Sequence, residues 1–315
     1  MAVGPDMVKA PRISVVTTNK NGGRFLRETV ESVLSQQFTD YEHIIVDGAS
    51  TDDSLEIIKS YPHILWISEP DESPNDGFRK GFAMARGDYI MVMCVSDKYL
   101  SPTWFRRCVE ALDADPEVSL VWGVAVNMNM DGDINAVWSP WWLDRSPPQK
   151  KEFLPFWLAT NAYLPELNYC VRREVYLKCF PRETPTDLMS IHNPFLGMLL
   201  NFNIHGYLPY FLPIIAHCGR VHAGQHGEKH QAMELRTGRL YRQRIRRYFW
   251  DVLVGRKPHY FRDGNSNVVG HLSTMERMCL PLAMARNKVE FWLETTIRMG
   301  RLRRLGRRLF TRRSP

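Results

Sequence analysis

Acidic, hydroxyl and amide side chains recur in four short clusters within the first hundred residues: "TTNKN" at 17–21, "DGASTD" at 47–52, "EPDESPND" at 69–76 and "SDK" at 96–98. Each cluster follows a run rich in β-branched or aliphatic residues. Side chains of these types hydrogen-bond polar ligands, and a carboxylate among them is also the natural ligand of a hard divalent cation. The last cluster is the sparest. In "MCVSDKYLSP" (93–102) the one carboxylate is Asp97, flanked by Ser96 and Lys98.

The elements that must carry these clusters can be read from the hydrophobic pattern. "RISVVTT" (12–18), "YEHIIVDGAS" (41–50), "HILWISEPD" (63–71) and "GDYIMVMCV" (87–95) read as strands. Between them, "RFLRETVESVLSQQF" places Phe25, Leu26, Thr29, Val30, Val33 and Leu34 at helical spacing. "TDDSLEIIKSY" and "SPNDGFRKGFAMA" supply two more helices, the first capped by Thr51 or Asp52. Strands alternating with helices demand right-handed crossovers and a parallel sheet. Such sheets bind ligands outside the carboxyl ends of their strands, which is where the four polar clusters fall. A helix, a strand, a "DGD" turn and another strand follow over 102–140, and "NYCVRREVYLKCF" (168–180) reads as a strand and short helix.

Composition narrows the class. The chain has 315 residues, 44% hydrophobic and 24% charged, with a formal net charge of +7. Its six cysteines are dispersed with no CxxC pair, which argues against a zinc ribbon or a disulfide framework and for reduced thiols. Residues 1–12 carry no apolar core of a signal peptide. The stretch 188–219 lacks Asp, Glu, Lys and Arg, but Pro194, Gly206, Pro209 and Pro213 interrupt it, so it reads as a buried helix and strand. Charge gathers late, at 236–247 "RTGRLYRQRIRR" and 298–313 "RMGRLRRLGRRLFTRR".

The segments "PRISVVTTNKNGGRFLRETVESVLSQQFTDYEHIIVDGASTDDSLEII" and "ISEPDESPNDGFRKGFAMARGDYIMVMCVSD" resemble the family 2 glycosyltransferases, densely over 11–100 and more loosely to about 225. The resemblance implies an α/β fold of GT-A type: a mostly parallel, Rossmann-like sheet flanked by helices. A glycosyltransferase domain is expected over 11–225, with its donor side at 11–100 and its acceptor side at about 101–225. A mainly helical basic extension would occupy 226–315. Thr17, Thr18, Asn19 and Asn21 would contact base and ribose, and Lys20 replaces an aromatic residue that many relatives stack on the base. Asp47 matches the base-reading carboxylate. Asp76 would approach ribose and diphosphate, with Arg79 and Lys80 neutralising phosphate charge. Asp97 aligns with the metal-binding acidic motif, and Ser96 stands where relatives often carry a first Asp. His222 and Arg220 match a late Arg–x–His pattern, with His222 the second metal ligand.

The resemblance implies a general base, an Asp or Glu, ahead of the helix bordering the acceptor. The aligned position near His192, Asn193 and Phe195 holds no carboxylate; Asp187 is the favoured base, with Glu183 nearby and His192 an imidazole alternative. The expected activity is inverting transfer of a sugar from a nucleotide donor, UDP-linked, assisted by Mn²⁺ or Mg²⁺. The expected acceptor is a glycan or lipid-linked saccharide of surface polysaccharide or glycoconjugate synthesis. The alternative is a nucleotide-sugar-binding scaffold or partner subunit that has lost catalysis. Leu302, Leu305, Leu309 and Phe310 recur every three or four residues among the arginines of 298–313, a pattern suited to an anionic membrane surface. This predicts a cytoplasmic protein, peripheral on the inner face of the membrane. No nucleic-acid module accompanies the arginines, and no nucleic-acid partner is expected.

Overall fold

The computed structural model describes residues 10–137, 146–161, 167–182, 187–221, 231–290 and 292. The first four strands form as expected: β1 (Ile13–Asn19), β2 (Tyr41–Asp47), β3 (Ile64–Ser68) and β4 (Tyr89–Cys94). All pair in parallel, in the order β3-β2-β1-β4. Helices α1 (Gly23–Leu34), α2 (Ser54–Lys59) and α3 (Pro74–Met84) make the crossovers. The chain therefore builds outward from β1 through β2 and β3, then crosses back to β4 on β1's other side. That reversal opens a crevice at the carboxyl ends, where the loops after β1 and β4 part.

Beyond β4 the sheet changes character. It continues β8-β6-β9-β5, built from β5 (Lys98–Tyr99), β6 (Val118–Met128), β8 (Tyr169–Arg172) and β9 (Leu208–Arg220), while β7 (Ile134–Val137) pairs with β6. β8 runs antiparallel to both β4 and β6, and β5 antiparallel to β9; β6 and β9 are parallel. The pleat sorts each strand between two cores. On β4, Ile90 and Val92 join a cluster with Phe78 and Phe82 of α3, while Met91 and Met93 pack with Trp104, Phe105 and Leu112 of α4 (Trp104–Ala114).

The larger core is closed by α5 (Phe153–Thr160), α6 (Arg173–Cys179), α7 (Leu188–His192) and α8 (Pro194–His205). Helix α8 is apolar nearly all round and buried nearly all round. Asn193 caps it, Pro194 starts it and Gly206 at φ 78° ends it, a left-handed position that glycine takes without strain. Every residue from Phe195 to Leu200 is buried.

The basic C-terminal region is part of this packing. Along α9 (Gln231–Leu253), Tyr241, Ile245, Tyr248 and Val252 face the large core while the arginines between them face solvent. Burial of each such apolar side chain contributes about 1.5–3 kcal/mol, enough together to hold a cationic helix on the domain. Trp157 Nε1 of α5 donates to the buried Tyr241 hydroxyl at 2.9 Å. The region reads as mainly helical in sequence; it also holds an antiparallel hairpin, β10 (Tyr260–Arg262) with β11 (Val268–His271), followed by a helical run over 274–290. The hairpin lies where Gly264 and Asn265 supply turn chemistry between short β-branched and aromatic runs.

Tyr241→Phe should leave the indole N–H buried without an acceptor and lower unfolding free energy by about 1–3 kcal/mol. Urea denaturation followed by tryptophan fluorescence checks this; an unchanged midpoint would show that α9 does not share the cooperative unit.

Candidate donor site at the strand ends

The register of the parallel strands sets the site. Asn19 is opposite Asp47, and Asp47 is opposite Ser68, so the last residues of β1, β2 and β3 stand side by side. Asp47 Oδ1 accepts from Asn19 Nδ2 at 2.7 Å and from the Ser50 hydroxyl at 2.5 Å. Its Oδ2 accepts from the Ser50 N–H at 2.9 Å and the Ser68 hydroxyl at 2.7 Å. The side chain is fully buried. Burial alone would raise the Asp47 carboxyl, but the donors from Ser50, Ser68 and Asn19 outweigh it and hold the group below the ordinary carboxylate range. Asp47 thus joins three strand ends and one turn, and the protein itself fills its acceptor positions.

Period-two alternation divides the "TTN" trio expected to act together. Thr17 is buried, its hydroxyl 3.0 Å from His43 Nε2 on β2. Burial, with a smaller contribution from His63, drives His43 down to about 3 and keeps it neutral. Thr18 points the other way, toward the first turn of α3, where its Cγ2 faces Gly77. Asn21 bridges to the next turn: its N–H donates to Ser50 Oγ at 2.8 Å and its Oδ1 accepts the Thr51 N–H at 2.8 Å.

At the start of α3, Ser73 caps the helix by accepting the Asp76 N–H at 3.2 Å. Lys80 lies one turn on, with its Nζ 2.9 Å from Asp76 and 2.9 Å from Glu69, and it donates to the Pro70 carbonyl. Its charge is balanced by two acids. Arg79 donates to the Pro181 carbonyl at 3.2 Å. Asn75 fastens the far side, donating to the carbonyls of Ser190 and Ile191 at 2.5 and 2.9 Å. It thereby fixes α7 to the first turn of α3.

Asp97 follows β4 and turns toward β9. Oδ1 accepts the Arg220 N–H at 3.0 Å, and Oδ2 lies 3.4 Å from His217 Nε2. Ser96, at φ 91°, has its carbonyl bonded by Arg220 Nε at 3.3 Å and its N–H by Thr29 Oγ1 at 3.2 Å. Arg220 is itself buried: it also bonds the carbonyls of Asn129 and Met130, pairs with Glu28, and lies over the Phe25 ring. Its guanidinium serves the protein interior. Asn21 (φ 52°), Ala49 (φ 56°) and Ser96 put left-handed non-glycine backbone after β1, β2 and β4, a strain that tends to gather where a fold shapes a ligand site.

Among the described residues, a divalent ion at this end of the sheet would draw on few protein ligands. Asp97 is the carboxylate at the end of β4 and is engaged with β9. Among the described residues no three His, Cys, Asp or Glu side chains gather as a metal site. His222 and Glu183 lie outside the described residues. Asp187 caps α7 by accepting the Met189 N–H at 3.1 Å and takes two bonds from Arg244 of α9, at 3.0 and 3.3 Å. His192 lies in the last turn of the same helix. Sequence reasoning passed over Ser50, Ser68, Asn75 and His217. The serines carry no signal of their own, since their role depends on the register that brings them to Asp47.

A strand order of 3-2-1-4 with polar loops at its switch point gives an α/β architecture of the GT-A kind. A sequence model described as "Glycosyl transferase family 2" matches residues 14–175, about half of the chain, and the chain belongs to that family. It is 34% identical over 124 residues to an uncharacterized glycosyltransferase of Mycobacterium tuberculosis, covering 38% of this chain and 47% of that one. It is 27% identical over 130 residues to an Escherichia coli chondroitin synthase, covering 40% of this chain and 19% of the synthase. The chain spans about half the length, or less, of these curated relatives. Among solved structures, residues 1–349 of Staphylococcus aureus TarS superpose with a TM-score of 0.53 at 12% identity, covering 89% of this chain and 72% of that fragment. The same TarS fragment in complex with UDP-GlcNAc gives a TM-score of 0.52 at 13% identity, covering 89% and 73%.

Because the Asp47 carboxyl is held low, the stability its ionised form contributes is present in full above the unfolded value near ~3.9 and is lost as pH falls through the lowered folded value. Asp47→Asn, which sets an amide against the Ser50 N–H, should cost about 1–3 kcal/mol at pH 7 and progressively less below about pH 4. Chemical denaturation at pH 7 and pH 3 reads both values. A pH-independent difference would assign Asp47 no charged role in the strand-end network.

Proposed function

We propose that the chain transfers a sugar, with inversion, from a UDP-linked donor to a glycan or lipid-linked acceptor in surface polysaccharide or glycoconjugate synthesis. The observation that carries this reading is the switch point itself, with Asn19, Asp47 and Ser68 locked in register beneath one crevice. The TarS complex with UDP-GlcNAc and the chondroitin synthase relative support the donor and acceptor classes. In this reading the loops after β1 and β2 hold the nucleoside, and Thr18 and the first turn of α3 lie beneath it. Asp76 and Lys80 border the ribose and diphosphate. Asn75 holds α7 against the donor side. An acceptor hydroxyl entering there attacks the anomeric carbon opposite the departing diphosphate. Asp187 takes its proton after release from Arg244, or His192 takes it directly.

A nucleotide-sugar-binding scaffold is the second reading. It is favoured by the engagement of Asp97 with β9 and of Asp187 with Arg244. Purified protein offered a panel of nucleotide sugars, with and without Mn²⁺, should release nucleoside diphosphate above an Asp97→Ala control. Binding of UDP with no release from any donor would establish the scaffold instead. If Asp187 is the base, Asp187→Asn should lower kcat about a hundredfold or more while leaving nucleotide affinity unchanged. An unchanged kcat would pass the role to His192.

The C-terminal region is proposed to rest on the anionic inner face of a membrane. Residues 298–313 lie outside the described residues, and the described part of the C-terminal region carries cationic and apolar surface of its own. Arg236, Arg239, Arg242, Arg246 and Arg247 are exposed along α9, and the 274–290 helix exposes Met275, Met278, Leu282 and Val289. Among the described residues no helix is long and apolar enough to cross a bilayer. Deleting 298–315 should abolish salt-sensitive partitioning onto phosphatidylglycerol vesicles. Unchanged co-sedimentation would remove that segment as the anchor.

A further inference from the structure

One carboxylate at the strand ends is left out of the network around Asp47. Asp71, just beyond β3, lies against the backbone of Gly48: a Cβ at 48 would stand 2.6 Å from Asp71 Oδ1 and 2.8 Å from Oδ2. A Cβ at Gly77, in the first turn of α3, would stand 3.4 Å from the same Oδ2 and 3.1 Å from Thr18 Cγ2. Two glycines and Thr18 therefore leave a cradle that this carboxylate fills. The Asp71 side chain is only 9% exposed, yet among the described residues it accepts no hydrogen bond. Among the described residues its ion-pair partner is Lys20 Nζ at 3.5 Å, on a side chain 61% exposed. That separation exceeds the roughly 2.7–2.9 Å of a direct charge-assisted bond. A carboxylate held in this cradle with no donor at direct hydrogen-bond distance keeps acceptor positions that a bound donor group would use. Asp47, nearby on β2, is the opposite case, with every acceptor position taken.

We propose that Asp71 and Lys20 together read the base of the nucleotide donor, a recognition expected from sequence at Asp47. Asp71 accepts the ring N–H of a base in which that N–H adjoins a carbonyl, and Lys20 Nζ donates to the carbonyl. Uracil and guanine both present this pair. Cytosine and adenine present an unprotonated ring nitrogen, whose lone pair would face the carboxylate. The pairing also gives Lys20 a function at the position where it replaces a stacking aromatic. The inference rests on the strand ends being a nucleotide-donor site, and assigns the acid that selects the nucleotide.

Binding of UDP, GDP, CDP and ADP to the full chain by titration calorimetry tests it, using wild type, Asp71→Asn, Lys20→Met and Asp47→Asn. Wild type should favour UDP or GDP, whichever the rest of the crevice accommodates, by about tenfold or more over CDP and ADP. Asp71→Asn is isosteric with the cradle, and its melting temperature should stay near that of wild type. It should weaken the preferred nucleotide about ten- to a hundredfold, the range for a hydrogen bond to a charged group, with little change for CDP. Lys20→Met, on an exposed side chain, should reduce the same preference several-fold. Selectivity left intact by Asp71→Asn would overturn the inference while leaving the donor site standing. Failure of wild type to bind any of the four would overturn the donor-site reading along with it.

Discussion

The buried Asp47 carboxylate is the interaction on which the donor side depends. Parallel pairing without a register slip puts Asn19, Asp47 and Ser68 at one level, and Asp47 satisfies donors from the two neighbouring strand ends and from the Ser50 turn. A charge with no exposure is tolerable only because four hydrogen bonds replace its water. The same bonds define the loops. Ser50 passes the constraint to Asn21 through its hydroxyl, so the turns after β1 and β2 are fixed relative to each other before any ligand arrives.

Arg220 does the corresponding work on the other side of the crevice. Its guanidinium ties Ser96 to the Asn129–Met130 turn and to Glu28 of α1, while its N–H holds Asp97. The end of β4 is thereby bound to the end of β9, which arrives from more than a hundred residues later in the chain. Asn75 adds a third tie, from α3 to α7. The crevice is framed by three polar clamps made in the interior, so the loops between them need contribute little to rigidity.

Fold and site were legible in the chain to different depths. β1 to β4 and α1 to α3 follow from local periodicity, because β1, β2 and β4 are buried on both faces and read as continuous apolar runs, while β3 at the sheet edge is a short apolar run that leaves Leu65 and Trp66 exposed. The fold class follows from their alternation. The docking of α9 was less accessible: its arginines dominate the composition, while Tyr241, Ile245, Tyr248 and Val252 mark a buried stripe only once a partner surface exists. The β10–β11 hairpin is short, and its pairing was hidden in a region read as mainly helical.

Residue types and strand ends alone determined that polar groups of the first hundred residues gather at one edge of a parallel sheet, since side chains at the ends of parallel strands have nowhere else to go. Only the tertiary structure decided what each acid does there. "DGASTD", "EPDESPND" and "SDK" present carboxylates of equal chemistry in sequence. Register and strand pleat send Thr17 and Thr18 to opposite faces, saturate Asp47, turn Asp97 toward Arg220 and His217, and set Asp71 over Gly48 beside Lys20. Availability of a carboxylate depends on which donors the fold brings within about 3 Å of it, and those donors come from chain positions that no local pattern connects.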